Sequence, residues 1–101
     1  MGPKEIVQMI EKEIGGDWSI SNLHQCDLKR CFVRPKRRKM VVFDGTARDM
    51  WVVLEENPET LNGYKVIFDE DGHRFGLAES YDSTPFVLGF HKSFLAAFRA
   101  M

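Results

Sequence analysis

Cysteine is nearly absent. The 101-residue chain has two, Cys26 and Cys31, too few for a disulfide scaffold. Read as members of one strand, two cysteines five residues apart point to opposite faces, so a bridge between them is geometrically poor. Reduced thiols in a reducing compartment follow, and the expected location is cytoplasmic. Long apolar runs are absent too: no stretch of about 18 residues could cross a bilayer. Met1 to Lys12 alternates charge with isoleucine where a secretory segment would carry an apolar stretch. Internal repeats, low-complexity segments and long linkers are also missing, so residues 1–101 read as one domain with one core.

Several chemical signatures are missing as well. There is no phosphate-cradling glycine loop, no G-x-S-x-G elbow and no H-E-x-x-H pair. His24, Cys26 and Cys31 are zinc-ligand types, but H-x-C-x4-C lacks a CxxC knuckle and a fourth partner. The run Asp69 to Gly72 superficially resembles a calcium loop, yet the remaining ligands and the closing glutamate are absent. No metal and no cofactor are therefore expected. Glu55, Glu56, Glu79 and Asp82 read as solvated strand ends, and His73 and His91 stand alone.

What is present reads as α+β: an antiparallel meander sheet of about five or six strands with an N-terminal and a C-terminal helix. In "GPKEIVQMIEKEIGG", Pro3 suits a first helical position. Ile6, Val7, Ile10 and Ile14 share a face, and Gly15-Gly16 supplies a stop. Strands are expected near Leu28 to Arg34, Lys39 to Asp44, Met50 to Glu56, Tyr64 to Asp69 and Arg74 to Glu79, each bounded by turn residues. Their short links favour antiparallel neighbours, and Asp71-Gly72 marks a hairpin turn. In the fourth of these strands Tyr64, Val66 and Phe68 form the buried face, with Lys65 and Asp69 on a mostly wet one. "MVVF" and "MWVVL" are apolar on both faces and need cover on both, from helices or from a second copy. The tail is extended through Phe86, Val87 and Leu88, breaks at Gly89, and then turns helical with Phe90, Phe94 and Phe98 at spacing four.

Charge is where the sequence is least ordinary. The net charge is −1, but the segment from Lys29 to Lys39 holds seven cations, Lys29, Arg30, Arg34, Lys36, Arg37, Arg38 and Lys39, and no anion. The rest of the chain keeps seven cations against fifteen carboxylates, a net of −8. Read as a basic hairpin, this segment has two roles open to it. It could grip a polyanion or an acidic protein surface, or its cations could simply keep an edge soluble and unpaired. The polar segment Ala78 to Phe86, with Tyr81, Asp82 and Ser83, is the other candidate, a loop positioned where a pocket could open between layers.

Three functions remain open at this level. The first is a non-catalytic protein-interaction or self-associating module, a homodimer for instance, with a protein partner or a second copy of itself. The second is a nucleic-acid or polyanion binder using the basic hairpin, and the third a small enzyme with a pocket near Tyr81. A membrane partner is not expected.

Overall fold

A computed structural model describes residues 1–22 and 26–101. Helix α1, Pro3–Ile14, forms where its pattern requires it. Glu5 Oε2 accepts from the Gly2 amide at 2.9 Å, and the chain leaves the helix through Gly15 at φ 65°, whose amide donates to Glu11 O. Ile6, Ile10 and Ile14 are its buried face. A single helical turn, α2, spans Leu28–Cys31, with Asp27 Oδ1 accepting from the Lys29 amide. Five strands follow: β1 Phe32–Val41, β2 Ala47–Glu55, β3 Gly63–Asp69, β4 Arg74–Ser80 and β5 Phe86–His91. Helix α3, Phe94–Arg99, closes the order, capped by Ser93 Oγ on the Ala96 amide. No helix among the described residues is long and apolar enough to cross a membrane.

The strands form the expected meander, each antiparallel to the one before it. The sheet then curls until β5 meets β1, closing a barrel through one parallel pair, Val41 with Phe86. Curvature of this kind needs irregularities. The register shifts between Phe32 and Lys36 in β1, between Val52 and Leu54 in β2, and between Leu77 and Ala78 in β4. Beside the last of these, Gly76 lets β4 and β5 approach closely, since a Cβ there would stand 2.8 Å from the Gly89 carbonyl oxygen.

Closure explains the double-sided apolarity of β2. Met40, Met50, Val52, Ile67, Ala78 and Val87 fill the barrel interior. On the outside, α1 and α3 bury Ile6, Ile10, Ile14, Phe94 and Phe98 against Val53, Val66, Phe68, Phe75 and Leu77. Both faces are thus covered within one chain, and the apolar strands do not by themselves require a second copy.

Four expectations are corrected. The two strands placed on either side of Pro35 are one continuous strand, with Pro35 buried at the bulge, so the cationic run is the body of β1 and not a hairpin tip. Leu28–Cys31 is helical because Asp27 caps it. Lys65 and Asp69 do not face water: their side of β3 is the barrel interior, where both are buried. The last helix starts at Phe94, Phe90 being still in β5.

Candidate functional site

Polar side chains enter the barrel at both ends. At one end Asp69 is held by Arg48 Nη2 at 3.1 Å and Arg74 Nε at 3.3 Å, while the Arg74 guanidinium lies 3.6 Å over the Phe90 ring. At the other end Lys65, fully buried, donates from Nζ to Glu55 Oε1 and to the Leu61 carbonyl, both at 2.6 Å. Burial raises the Glu55 carboxyl above its ordinary value, and the hydrogen bond and charge of Lys65 hold it back. Glu55 is therefore an internal counter-ion and not the solvated strand end expected from its place before a loop.

Leu61 links that buried pair to the surface. It is held at φ 63°, unusual for a branched side chain, by its amide donating to Asn57 O at 2.8 Å and by its carbonyl accepting from Lys65 and from Ser80 Oγ. Beside it the barrel mouth is a cavity of about 250 Å³, lined by Val33, Val52 and Leu61, by Arg34, Lys36 and Arg38, and by Glu55. Arg38 is the least exposed of the three cations. Among the described residues its Nη1, which is buried, makes no hydrogen bond, and it forms an ion pair with Glu55 Oε2 at 3.9 Å.

The basic segment is divided by the geometry of β1. Arg30 pairs with Glu59 at 2.9 Å on the surface. Lys29, Arg34, Lys36, Arg37 and Lys39 are exposed, and among the described residues none makes an ion pair. Asp49 stands opposite Lys39 in register without closing one. Alternation sends Arg38 and Met40 inward and Arg37 and Lys39 outward, where Arg37 lies 5.5 Å from the Trp51 ring centroid.

The backbone of β1 follows the same alternation. Val41 turns its amide away from β2 and donates to Pro85 O at 2.9 Å. From Lys36 to Val41 the register with β2 is unbroken, so Arg37 and Lys39 turn their peptide groups the same way as Val41. β5 does not pair with them, because its pairing with β1 is confined to Val41 and Phe86. Next to this open edge, Phe86 and Leu88 are 45% and 41% exposed, and Phe43 in the β1–β2 turn is 70% exposed.

The second candidate, the loop of Tyr81, Asp82 and Ser83, is exposed and tied to the β2–β3 loop. The Asp82 amide donates to Asn62 Oδ1 at 2.9 Å, and Asn62 Nδ2 donates to Asp82 Oδ1 at 3.3 Å. It therefore sits at the same barrel end as Leu61, although it does not line the mouth cavity. The charge of Glu79 raises the Tyr81 phenol, which weakens it as a base or nucleophile.

Cys26 and Cys31 are not on one strand facing apart. The helical turn between Asp27 and Phe32 brings Cys31 inward, both thiols are buried and free, and Cys31 Sγ donates to the Glu56 carbonyl at 3.6 Å. Burial first, then the charges of Cys31 and Glu56, push the Cys26 thiol up to about 11. Cys31 is raised by burial also, although the neighbouring Arg30 charge lowers it. His24 lies outside the described residues. Among those described, no three His, Cys, Asp or Glu side chains converge as metal ligands.

Sequence reasoning placed Lys65 and Glu55 in solvent, where the fold buries them, and missed Leu61. A lysine at an alternate position of an otherwise apolar strand, "YKVIF", was the available signal. No protein family, no curated protein and no solved structure matches this chain.

Proposed function

We propose that this chain is a non-catalytic protein-interaction module that receives a short, extended, acidic segment of a protein partner along the open edge of β1. The observation that carries this reading is the coincidence, at Arg37 and Lys39, of edge peptide groups that pair with no other described strand and exposed cations that make no ion pair among the described residues. Alternating N–H and C=O groups are complementary to another strand, and the flanking cations select one that is acidic. Phe86, Leu88 and Phe43 extend the footprint with apolar surface, as protein contacts favour. The buried, free thiols suit work in the reducing cytoplasm.

Charge argues against the other occupants. A two-fold pairing of β1 with β1 of a second copy sets cations opposite cations, which is destabilising. A long nucleic acid leaving the strand would meet a remainder at −8, which repels it.

The test is fluorescence anisotropy with three labelled probes: an eight-residue peptide alternating glutamate and valine, an oligouridylate and a duplex DNA. Each is titrated at about 0.02 M and about 0.15 M salt. The reading predicts peptide binding that weakens with salt and is lost in Arg37→Gln/Lys39→Gln. Binding of either nucleic acid in preference to the peptide would transfer the function to nucleic acid. No binding of any probe would leave β1 as a solvated, self-protecting edge.

A further inference from the structure

We infer that the barrel mouth is a binding site for a small organic phosphate, an apolar body carrying one phosphate monoester, held by Arg38. This rests on the interior face of β1 and not on its outer edge, so it stands apart from the acidic-segment reading.

Three observations meet there. The first is an unspent donor: Arg38 Nη1 is buried and makes no hydrogen bond among the described residues, and Glu55 Oε2, its ion-pair partner 3.9 Å away, is beyond hydrogen-bond range. A buried guanidinium nitrogen without a partner is costly, and an oxyanion drawn in from solvent would satisfy it. The contact with Glu55 is an ion pair without a hydrogen bond, and Lys65 holds that carboxylate by its other oxygen at 2.6 Å.

The second is net charge. Arg34, Lys36 and Arg38 line the cavity with Lys65 directly behind Glu55, four cations around one carboxylate. The surplus of three suits a dianion better than a single carboxylate. The guanidinium fork of Arg38 matches two phosphate oxygens, and Arg34 and Lys36 are placed at the rim to take the remaining charge.

The third is the lining. Val33, Val52 and Leu61 give the cavity an apolar wall, which inorganic phosphate would leave unused. The volume of about 250 Å³ is below the roughly 300–1,000 Å³ of pockets for drug-sized ligands, so the enclosed part suits a small body. Leu61, held at φ 63° and 44% exposed, is the most solvent-facing of the three apolar lining residues.

Isothermal titration with phenyl phosphate, inorganic phosphate and benzoate tests the assignment on the full chain. Phenyl phosphate is expected to bind saturably and more tightly than either of the others. Arg38→Gln should weaken it about ten- to hundredfold, the loss of a charge-assisted hydrogen bond. Leu61→Trp, which fills the entrance and leaves the Arg38 charge in place, should abolish phenyl phosphate binding while keeping acidic-peptide binding at β1. That variant also decides the matter should Arg38→Gln fail to fold. Absence of saturable phenyl phosphate binding to the unmodified chain would overturn the proposal. So would undiminished binding by either folded variant, or equal binding of phenyl phosphate and inorganic phosphate.

Discussion

Lys65 and Glu55 define what a single residue can do in this fold. Each is acceptable inside the barrel only because the other is there, so removing one leaves a buried charge alone. Lys65→Met should cost about 3–5 kcal/mol in urea unfolding, whereas Lys65→Met with Glu55→Leu should be near neutral or stabilising. The pair also sets a pH dependence. The folded-state carboxyl of Glu55 lies above its ordinary 4.5, so between 4.5 and the raised value the folded chain holds more protons than the unfolded one. The contribution of Glu55 is thus present below 4.5 and lost as pH rises through the raised value. Measured against the double variant between about pH 4 and pH 7, the unmodified chain should lose relative stability as pH rises. At Cys26, a thiol pushed up to about 11 leaves on the order of one molecule in ten thousand as thiolate at neutral pH. Alkylation by iodoacetamide should therefore be slow in the folded chain and become fast on addition of denaturant.

At the scale of elements, α1 and α3 are joined through one side chain. Glu13, in the last turn of α1, accepts from the Phe94 amide at 3.0 Å and the Leu95 amide at 2.7 Å, capping α3 from a different helix. Glu13→Ala should destabilise by about 1–3 kcal/mol and lower helical circular dichroism at the C-terminal end. The elements were unevenly legible. The meander, α1 with its isoleucine face and the Phe94–Phe98 stripe followed from periodicity and turn residues, because there local pattern and tertiary burial agree. β1 did not, since proline followed by four cations carries the signature of a turn. Only closure of the barrel makes Pro35 a buried bulge and the cations a strand. Leu28–Cys31 was equally hidden, being one short turn decided by Asp27 alone.

The whole molecule is a small barrel with helices on part of its outside and an incompletely paired seam between β1 and β5. Alternation in β3 was read correctly as two faces, yet sequence pattern cannot distinguish a wet face from a barrel interior stoppered by ion pairs. For that reason the mouth cavity and the inward turn of Arg38 were invisible before the fold, while the seven cations themselves were not. Their division into an outward set, Arg37 and Lys39, and an inward one, Arg38, is a property of the closed sheet. The open edge of β1 is the part of this architecture that most invites a partner.

The most direct test of that claim is an amide-resolved NMR titration of the labelled chain with the glutamate–valine peptide, followed by hydrogen exchange in the complex. The account predicts that the Arg37 and Lys39 amides shift and gain protection, with smaller changes at Phe86 and Leu88. Shifts confined to other surfaces, or unchanged exchange at Arg37 and Lys39 in the saturated complex, would contradict it.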